Sequence, residues 1–339
     1  MKNATIVDVA KHAGVSKKTV SRVINDEPGV KESTRKKVQD SIKALNFTRS
    51  PFGLSLARKR SFLVALIYDN PSPTFLVSLQ SGITNACQAR DLGLYLHKCD
   101  YKSASLVEDI EQMIDRTMVD GLILTSPVSD QQPLLRRLRE RNITFVAINP
   151  SDNSQGLSVR MDHFGAAKAM TKHLIDLNHT RIAFIKGHND LFSSNQRYMG
   201  FTETMNESDL ASEDELIVEG VNNFESGRVA TRKLLELPER PTAIFANNDE
   251  MAVGALYEIH KMGLEVPTDI SLAGFDDMPA VEHVWPPLTT VKQPFGEMGH
   301  TAASMLIEQF QHKNRDDYHN AVTLNWQLIL RKSTGKSQS

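Results

Sequence analysis

A short stretch near the start of the chain carries residue types that read DNA bases. Its polar side bears cations and hydroxyls, at Ser16, Lys17, Lys18, Thr19, Ser21 and Arg22. Arginine and lysine donate hydrogen bonds to guanine edges, and an α-helix fits the width of the major groove. Val20, Val23 and Ile24 fall on the opposite side at helical spacing. The stretch therefore predicts a short helix whose polar side can enter DNA.

This helix is the second of a predicted pair that meets at a glycine. The first helix has an apolar stripe at Ile6, Val9, Ala10 and Ala13. Thr5 precedes the stripe with Asp8 three residues on, a spacing typical of a helix-start capping box. Gly14 permits a sharp turn, and Ser16 can cap the helix that follows. The pattern predicts a helix-turn-helix.

A charged face is also what any solvated helix shows, and the pattern alone leaves that alternative open. The charge distribution favours DNA. Residues 1–60 contain 14 of the 39 basic residues and 5 of the 41 acidic ones, which leaves 25 basic and 36 acidic residues in the remainder. The net charge of −2 therefore hides a basic head on an acidic body, as expected of a nucleic-acid-binding module fused to another domain.

The residues VDVAKHAGVSKKTVSRVIN at positions 7–25 resemble the amino-terminal signature of the lactose/galactose-repressor family of bacterial transcription factors. The resemblance continues through a third helix at 32–45 and returns at 247–256, 271–277 and 286–294. It implies sequence-specific binding to double-stranded DNA, with Lys17, Lys18 and Arg22 as base readers. The expected contact set in the head is Thr5, Ser16, Lys17, Lys18, Thr19, Ser21, Arg22, Asn25 and Lys31.

Residues 47–60 form a basic linker that contains Pro51, Gly53 and four basic residues. In the family that the chain resembles, this segment becomes a helix on operator DNA and a leucine wedges into the minor groove. The matching residue is Leu56, and the cations after it, Arg58, Lys59 and Arg60, would bind phosphates. Position 49 is arginine rather than the family's proline, which predicts a hinge helix that starts later. A plain tether is the alternative.

After residue 60 the pattern changes to apolar runs of strand length separated by helical stretches, which predicts parallel sheets with right-handed crossovers. The predicted strands are 62–69, 94–99, 121–127, 144–149, 181–187, 216–220, 243–248, 271–277 and 322–330. The predicted helices are 75–90, 106–116, 133–141, 166–177, 226–237, 250–262 and 297–310. The fold class is therefore α/β, with an all-α helix-turn-helix head, a hinge and two doubly wound parallel-sheet lobes.

The resemblance further implies a periplasmic-binding-protein-like body in which the chain crosses between the lobes three times. Composition alone does not show these crossings. The implied domains are the head at 1–46, the hinge at 47–60, an N-terminal lobe at 61–160 plus 292–320, a C-terminal lobe at 161–291 plus 321–330, and a polar tail at 331–339.

Polar residues follow several predicted strands, at the edge where open parallel sheets bind ligands. Carboxylates, amides and arginine pair well with sugar hydroxyls, and the resemblance places Arg197, Asn248 and Asp276 at the family's effector site. The full predicted set is Asn70, Ser126, Arg197, Asn222, Asn248, Asp249 and Asp276. Each Asp or Asn at a strand–helix junction is alternatively a helix cap. Isolated histidines without zinc-site or dyad spacing are interpreted as structural or exposed, namely His163, His173, His179, His188 and His283.

Two departures from the family lie at this predicted site. Asn222 stands where many members have an aromatic residue that stacks on the effector, and Phe224 is displaced from that position. The loop at 69–75 also differs from the common pattern. Both leave open an effector other than a typical hexose.

Together these features predict a cytoplasmic, nucleoid-associated dimer that represses carbohydrate-utilisation genes from a near-palindromic operator. A sugar or sugar derivative between the lobes would change operator affinity through its different affinity for two lobe arrangements. A nucleobase or nucleoside effector is the alternative. The polar tail lacks heptads, which favours a dimer over a coiled-coil tetramer.

Other classes are disfavoured. A transport-type solute-binding protein would fit the two-lobed body, but it would need an export signal in place of the DNA-binding pattern. The chain contains no nucleophile elbow or phosphate loop that would indicate an enzyme, and no cofactor or metal is predicted. The sequence has no run of eighteen apolar residues, so no membrane span is predicted. Two cysteines, Cys87 and Cys99, are expected to be reduced.

Overall fold

The computed structural model of the 339-residue chain describes residues 4–24, 26–47, 60–69, 72–152, 156–210, 213–311 and 321–338. The chain divides into two compact units, a head at Met1–Ser61 and a body at Phe62–Ser339. Within the described ranges, every helix is too short or too polar to span a membrane.

The described part of the head contains three helices, α1 (Ile6–Ala13), α2 (Lys17–Ile24) and α3 (Glu32–Ala44). The predicted capping box is present, because the Thr5 side chain accepts from the Asp8 amide and the Asp8 carboxylate accepts from the Thr5 amide. Gly14 ends α1 at φ 64°, a left-handed conformation that favours glycine. Val9, Val20 and Val38 are fully buried where the helices meet. The helix-turn-helix prediction is confirmed.

The first lobe contains a six-stranded parallel sheet with the order β11-β5-β4-β3-β1-β2. Its strands are β1 (Leu63–Tyr68), β2 (Gly93–Lys98), β3 (Gly121–Thr125), β4 (Phe145–Ile148), β5 (Ser158–Met161) and β11 (Ala321–Leu324). Its helices are α4 (Pro73–Gln88), α5 (Leu106–Thr117), α6 (Gln132–Glu140) and α12 (Phe295–Gln311). β3 and β4 are buried along their whole length, and β1 is buried between its two end residues, as expected of a sheet covered on both faces.

The second lobe contains a four-stranded parallel sheet with the order β7-β6-β8-β9. Its strands are β6 (Ile182–Ile185), β7 (Ile217–Val218), β8 (Ala243–Ala246) and β9 (Ser271–Ala273). Its helices are α7 (His163–Asp176), α8 (Phe192–Glu207), α9 (Phe224–Leu235), α10 (Asp249–Lys261) and α11 (Ala280–His283). Two doubly wound lobes are thus present, as predicted.

The end of the chain corrects the predicted lobe assignment. The pattern at 322–330 is two strands rather than one, and only the first of them, β11, joins a large sheet. That sheet is in the first lobe, where Val322 pairs with Val159 of β5. The second strand, β12 (Gln327–Ile329), pairs antiparallel with β10 (Thr290–Lys292) in a separate ribbon. Residues 321–324 therefore belong to the N-terminal lobe.

The predicted polar tail makes buried contacts with the second lobe. Ser333 is fully buried, and its hydroxyl donates to the Leu272 carbonyl at 2.5 Å. The Gly335 carbonyl lies 2.9 Å from Nε2 of His179. These contacts attach the described part of 331–338 to the second lobe, because buried hydroxyls and amides need partners that the sheet end provides.

Candidate functional site

A cavity of about 290 Å³ lies between the two lobes. Residues after the carboxyl ends of strands line it from both sides, with Ser126 and Asn149 from the first lobe and His188, Asn248 and Asp276 from the second. This is the edge at which open parallel sheets bind ligands. We call this space the interlobe cavity.

Five of the seven predicted effector-site residues line the interlobe cavity, namely Ser126, Arg197, Asn222, Asn248 and Asp276. The sixth, Asn70, lies outside the described residues. The seventh, Asp249, lies behind the cavity wall rather than in it.

Arg197 is the buried cation of the cavity. It projects from α8 with 6% of its surface exposed. Its Nη1 donates to the Asn247 carbonyl at 2.6 Å and lies 3.7 Å from Oδ1 of Asp276. The guanidinium carbon is 3.9 Å from the centroid of the Phe275 ring, a cation–π arrangement. Burial lowers the pKa of Arg197, and the charge of Asp276 opposes that effect.

Asp276 is the matching anion. It follows β9 at φ 126°, a conformation rare for a residue other than glycine, and such strain is concentrated at functional sites. Its Oδ1 accepts from the side-chain amide of Gln293 at 2.5 Å. Burial raises the pKa of Asp276, while the charge of Arg197 opposes the rise.

Three asparagines hold one another at the second-lobe wall. The side-chain amide of Asn247 donates to Ser194 Oγ and to Asn222 Oδ1, each at 3.1 Å. Asn248 donates to the Asn222 carbonyl at 3.1 Å and accepts from the Met251 amide at 3.0 Å. Asn248 therefore caps α10, as the helix-cap alternative predicts, and it also lines the cavity.

Gly187 lets this amide cluster pack closely. A Cβ at Gly187 would lie 2.1 Å from Asn247 Nδ2, 2.4 Å from Asn222 Oδ1 and 2.6 Å from Ser194 Oγ. Side-chain carbons do not approach polar atoms so closely, so any other residue at this position would force the amide cluster to shift.

Asp249 is a correction to the predicted set. It is 1% exposed, its Oδ1 accepts from Thr290 Oγ1 at 2.7 Å, and its Oδ2 accepts from the Met278 amide at 2.8 Å. Burial, aided by the charge of Asp276, raises the pKa of Asp249. Its carboxylate thus ties the start of α10 to the residues after β9, which is a structural role.

Sequence reasoning missed several cavity residues. Phe75 and Phe295 form an edge-to-face pair, 5.0 Å between ring centroids, at the cavity wall. His163, interpreted as structural or exposed, is buried and lines the cavity, as does Gln293. No local pattern marks these residues, since each reaches the cavity through the lobe packing. Phe224 is 39% exposed and packs on Tyr257 instead.

An exposed clasp joins the lobes beside the cavity. Lys102 Nζ, after β2 of the first lobe, lies 2.8 Å from Oδ2 of Asp190, after β6 of the second. The Tyr101 hydroxyl donates to the same carboxylate. The hydrogen bond with Lys102 lowers the pKa of Asp190.

In the head, Lys17 and Lys18 on α2 are exposed, and Lys31 is exposed as well. The Ser16 hydroxyl caps α2 by accepting from the Thr19 amide at 3.1 Å, and the Thr5 hydroxyl is bound to Asp8 at 2.6 Å. Thr19, Ser21 and Arg22 are half-buried. Asn25, Leu56, Arg58 and Lys59 lie outside the described residues.

The Arg22 side chain already contacts other residues of the head. Its Nη2 donates to the Pro28 carbonyl at 2.6 Å, and its Nε lies 3.4 Å from the Glu27 carboxylate. The arginine thus braces the turn between α2 and α3. Lys17 and Lys18 form no ion pair among the residues that the structure describes.

Two family models match the chain. Residues 5–50 match the bacterial regulatory proteins of the lacI family, and residues 171–334 match the periplasmic binding protein-like domain. Catabolite control protein A of Priestia megaterium is 33% identical over 98% of this chain and 99% of its own length. The chain belongs to the LacI family. A transcriptional repressor named PurR from Mannheimia succiniciproducens is 30% identical over the same shares.

Solved structures agree with this membership. A Lac repressor dimer bound to operator and the anti-inducer ONPF is 28% identical, with a TM-score of 0.87 and coverage of 98% of this chain and 100% of that one. A complex of the transcriptional regulator CelR with cellobiose is 29% identical, with a TM-score of 0.74 and coverage of 97% and 99%. The family and fold-class predictions are confirmed, and this LacI-family member is a DNA-binding transcriptional repressor.

Proposed function

We propose that this LacI-family repressor is a homodimer acting on carbohydrate-utilisation genes, and that a sugar-like effector in the interlobe cavity controls its affinity for a near-palindromic operator. The observation that carries the proposal is the pair of the buried Arg197 and the half-buried Asp276, which lines the same cavity as Ser126 of the other lobe. A ligand that touches both lobes favours one lobe arrangement by its differential affinity.

The cavity supports a small neutral effector. A volume of about 290 Å³ lies at the lower end of the range for small-molecule sites, which suits one sugar ring. Arg197 already has Asp276 as its counter-charge, and Asp69 adds a second carboxylate to the lining. The arginine is therefore already paired, and an anionic ligand would meet two carboxylates, which do not repel a neutral ligand. The walls supply the planar donors and acceptors that hydroxyls need.

A nucleobase effector is the second candidate. The edge-to-face pair of Phe75 and Phe295 offers an apolar wall, and aromatic walls favour planar rings. A sugar and a base differ in hydrogen-bond pattern, so direct binding separates them.

The test begins with an operator selected from random DNA by the purified protein. Fluorescence anisotropy then follows operator binding while cellobiose, D-glucose or hypoxanthine is added. We expect one sugar to change operator affinity in wild type and to have no effect in Asp276→Asn, with ligand-free operator binding retained. A fall in operator affinity would show that the effector releases the repressor from DNA, and a rise would show that the effector is needed for DNA binding.

Asp277→Asn is the matched control, because the neighbouring carboxylate accepts from Arg331 at 2.7 Å rather than lining the cavity. A normal sugar response in Asp276→Asn would remove that residue from the effector site. Sedimentation equilibrium checks the dimer, and a monomer that binds the operator with full affinity would contradict it.

A further inference from the structure

His163 is the first residue of α7, and one of its ring nitrogens is engaged. Arg197 Nε lies 3.4 Å from His163 Nδ1. A guanidinium only donates, so Nδ1 accepts. The ring also stacks on Phe275 at 6.1 Å between centroids, on the same aromatic residue that contacts Arg197. Packing and this hydrogen bond therefore hold the ring in one orientation.

The other ring nitrogen carries the proton. Burial, together with the charge of Arg197, lowers the pKa of His163 well below its ordinary value, so the ring is neutral. A neutral imidazole has one donor and one acceptor, and Nδ1 is the acceptor. Nε2–H is therefore a donor in a side chain that is 4% exposed.

Two buried polar atoms at the cavity lack a partner among the residues that the structure describes. One is His163 Nε2, and the other is Oε1 of Gln293. The Gln293 amide nitrogen donates to Asp276, which orients the oxygen as a free acceptor. Buried polar groups are almost always paired, so two unpaired atoms at one cavity indicate a ligand that completes them.

We propose that His163 is a specificity-determining residue that donates its Nε2–H to a neutral acceptor on the effector, while Gln293 Oε1 accepts a hydrogen bond from the ligand. The inference rests on the proposed effector function and names the ligand class more closely. A hydroxyl both accepts and donates, so a neutral polyol ring satisfies both atoms. A cationic amine has no acceptor to offer His163 and is rejected.

Two substitutions distinguish the roles of the two ring nitrogens of His163. His163→Asn places an oxygen near the position of Nδ1, where it can accept from Arg197, and leaves no donor at Nε2. His163→Gln extends an amide nitrogen toward the position of Nε2. Calorimetric titration with cellobiose, D-glucose and hypoxanthine measures binding to each protein.

We expect His163→Asn to bind the sugar that changes operator affinity about tenfold or more weakly than wild type does. The reason is that a binding site built around a hydrogen bond loses much of its affinity when one partner of that bond is removed. His163→Gln should recover most of that loss. A monodeoxy sugar without the contacted hydroxyl should lose affinity for wild type and not for His163→Asn. Equal affinities of wild type and His163→Asn would overturn the proposal while the effector function stands.

A ligand-free measurement decides the donor directly. Nitrogen-15 NMR of the ring should show the neutral Nε2–H tautomer at pH 7. A cationic ring or the Nδ1–H tautomer would overturn the proposal. Failure of every probe to bind wild type would count against the proposed effector class, whereas the NMR result judges His163 independently.

Discussion

The α2 helix and the interlobe cavity both carry charged side chains, but those of α2 are exposed to solvent and those of the cavity are packed inside the protein. Lys17 and Lys18 are exposed on α2, whereas Arg197 is buried, the Asp276 side chain is only 12% exposed, and both are already bonded to the protein. The cavity groups lose their hydration when the chain folds, and the lysines keep theirs until DNA arrives. Preorganised groups spare the ordering cost of binding, but they tie ligand binding to stability. Substitutions in the cavity should therefore change both ligand binding and stability, and substitutions of the exposed lysines Lys17 and Lys18 should change DNA binding alone.

The largest expected effect is that of Gly187→Ala. The new methyl would collide with the amide cluster of Asn247 and Asn222, because packed interiors do not absorb an added carbon without shifts. We expect the sugar bound by wild type to lose about a hundredfold in affinity, a loss on the order of 3 kcal/mol. Thermal unfolding should also move down by several degrees, as calorimetry can measure.

Gly296→Ala is the control for this substitution. Its Cβ would meet its nearest neighbour, the Ser78 carbonyl, at an ordinary 3.8 Å. A loss of ligand affinity as large as that of Gly187→Ala would show that any added methyl near the cavity acts in this way, and the amide cluster would lose its special role.

Next in size is Lys18→Ala on α2. A direct base contact contributes about 1–3 kcal/mol, so affinity for the selected operator should fall about tenfold or more, with a smaller loss on random DNA. The thermal midpoint should stay at the wild-type value, because Lys18 has no ion pair within the described residues. Anisotropy and thermal unfolding measure the two properties separately.

Two variants sharpen that result. Arg22→Ala should lower both operator affinity and stability, since Arg22 braces the Pro28 carbonyl. Lys43→Ala, at the exposed end of α3, removes a charge without touching α2. If Lys43→Ala weakened operator binding as much as Lys18→Ala, the effect would be one of general charge and not of base reading.

A smaller effect is expected from Asp249→Asn. The raised pKa of Asp249 means that the folded state binds the proton more tightly than the unfolded chain. The resulting stability is full below about pH 4, the ordinary carboxyl range, and is lost as pH rises through the raised folded value. Asparagine can donate to Thr290 and accept from Met278 without a charge.

The variant should therefore be more stable than wild type at pH 8, by on the order of 1 kcal/mol, and its stability should depend less on pH between 4.5 and 8. Chemical denaturation at several pH values measures this. Asp214→Asn, at an exposed site, is the control. A variant with the full wild-type pH dependence would show that Asp249 is ionised without cost.

The smallest effect is expected from Asp190→Asn in the clasp. Exposed ion pairs contribute little and are screened by salt, so effector affinity should change less than about threefold. That change should vanish in high salt. Asp176→Asn, which removes an exposed pair within α7, should leave effector affinity unchanged. A large loss in Asp190→Asn at high salt would make the clasp a principal determinant of lobe closure.

Local patterns predicted the elements well where one helix or strand carries its own signal. The capping box at Thr5, the turn at Gly14 and the helices α1 to α3 follow from spacing and cap chemistry over a few residues. The strand at 158–161 was missed because four residues with an arginine among them are too short for a periodicity. The single strand predicted at 322–330 was wrong, because an apolar pattern does not reveal that a chain changes sheets within it.

The predicted effector site likewise combines features that local patterns predict with features that only tertiary packing decides. Asn248 and Asp249 are neighbours with the same cap-like signal, yet Asn248 lines the cavity and Asp249 turns toward Thr290 and Met278. Which of two adjacent polar residues faces a ligand depends on a rotation of about 100° around the helix. Sequence reasoning placed both at the site, and only the packing of α10 against the residues after β9 separated them.

The sequence by itself determined the family, the helix-turn-helix and the two-lobed α/β body, because these depend on periodicity, caps and turns within short segments. The tertiary structure alone decided that His163, Gln293, Phe75 and Phe295 meet at one cavity, and that His163 Nε2 and Gln293 Oε1 have no partner there among the described residues. The physical reason is distance along the chain. Convergence of residues from 75 to 295 is produced by the packing of two lobes, and no local pattern encodes it.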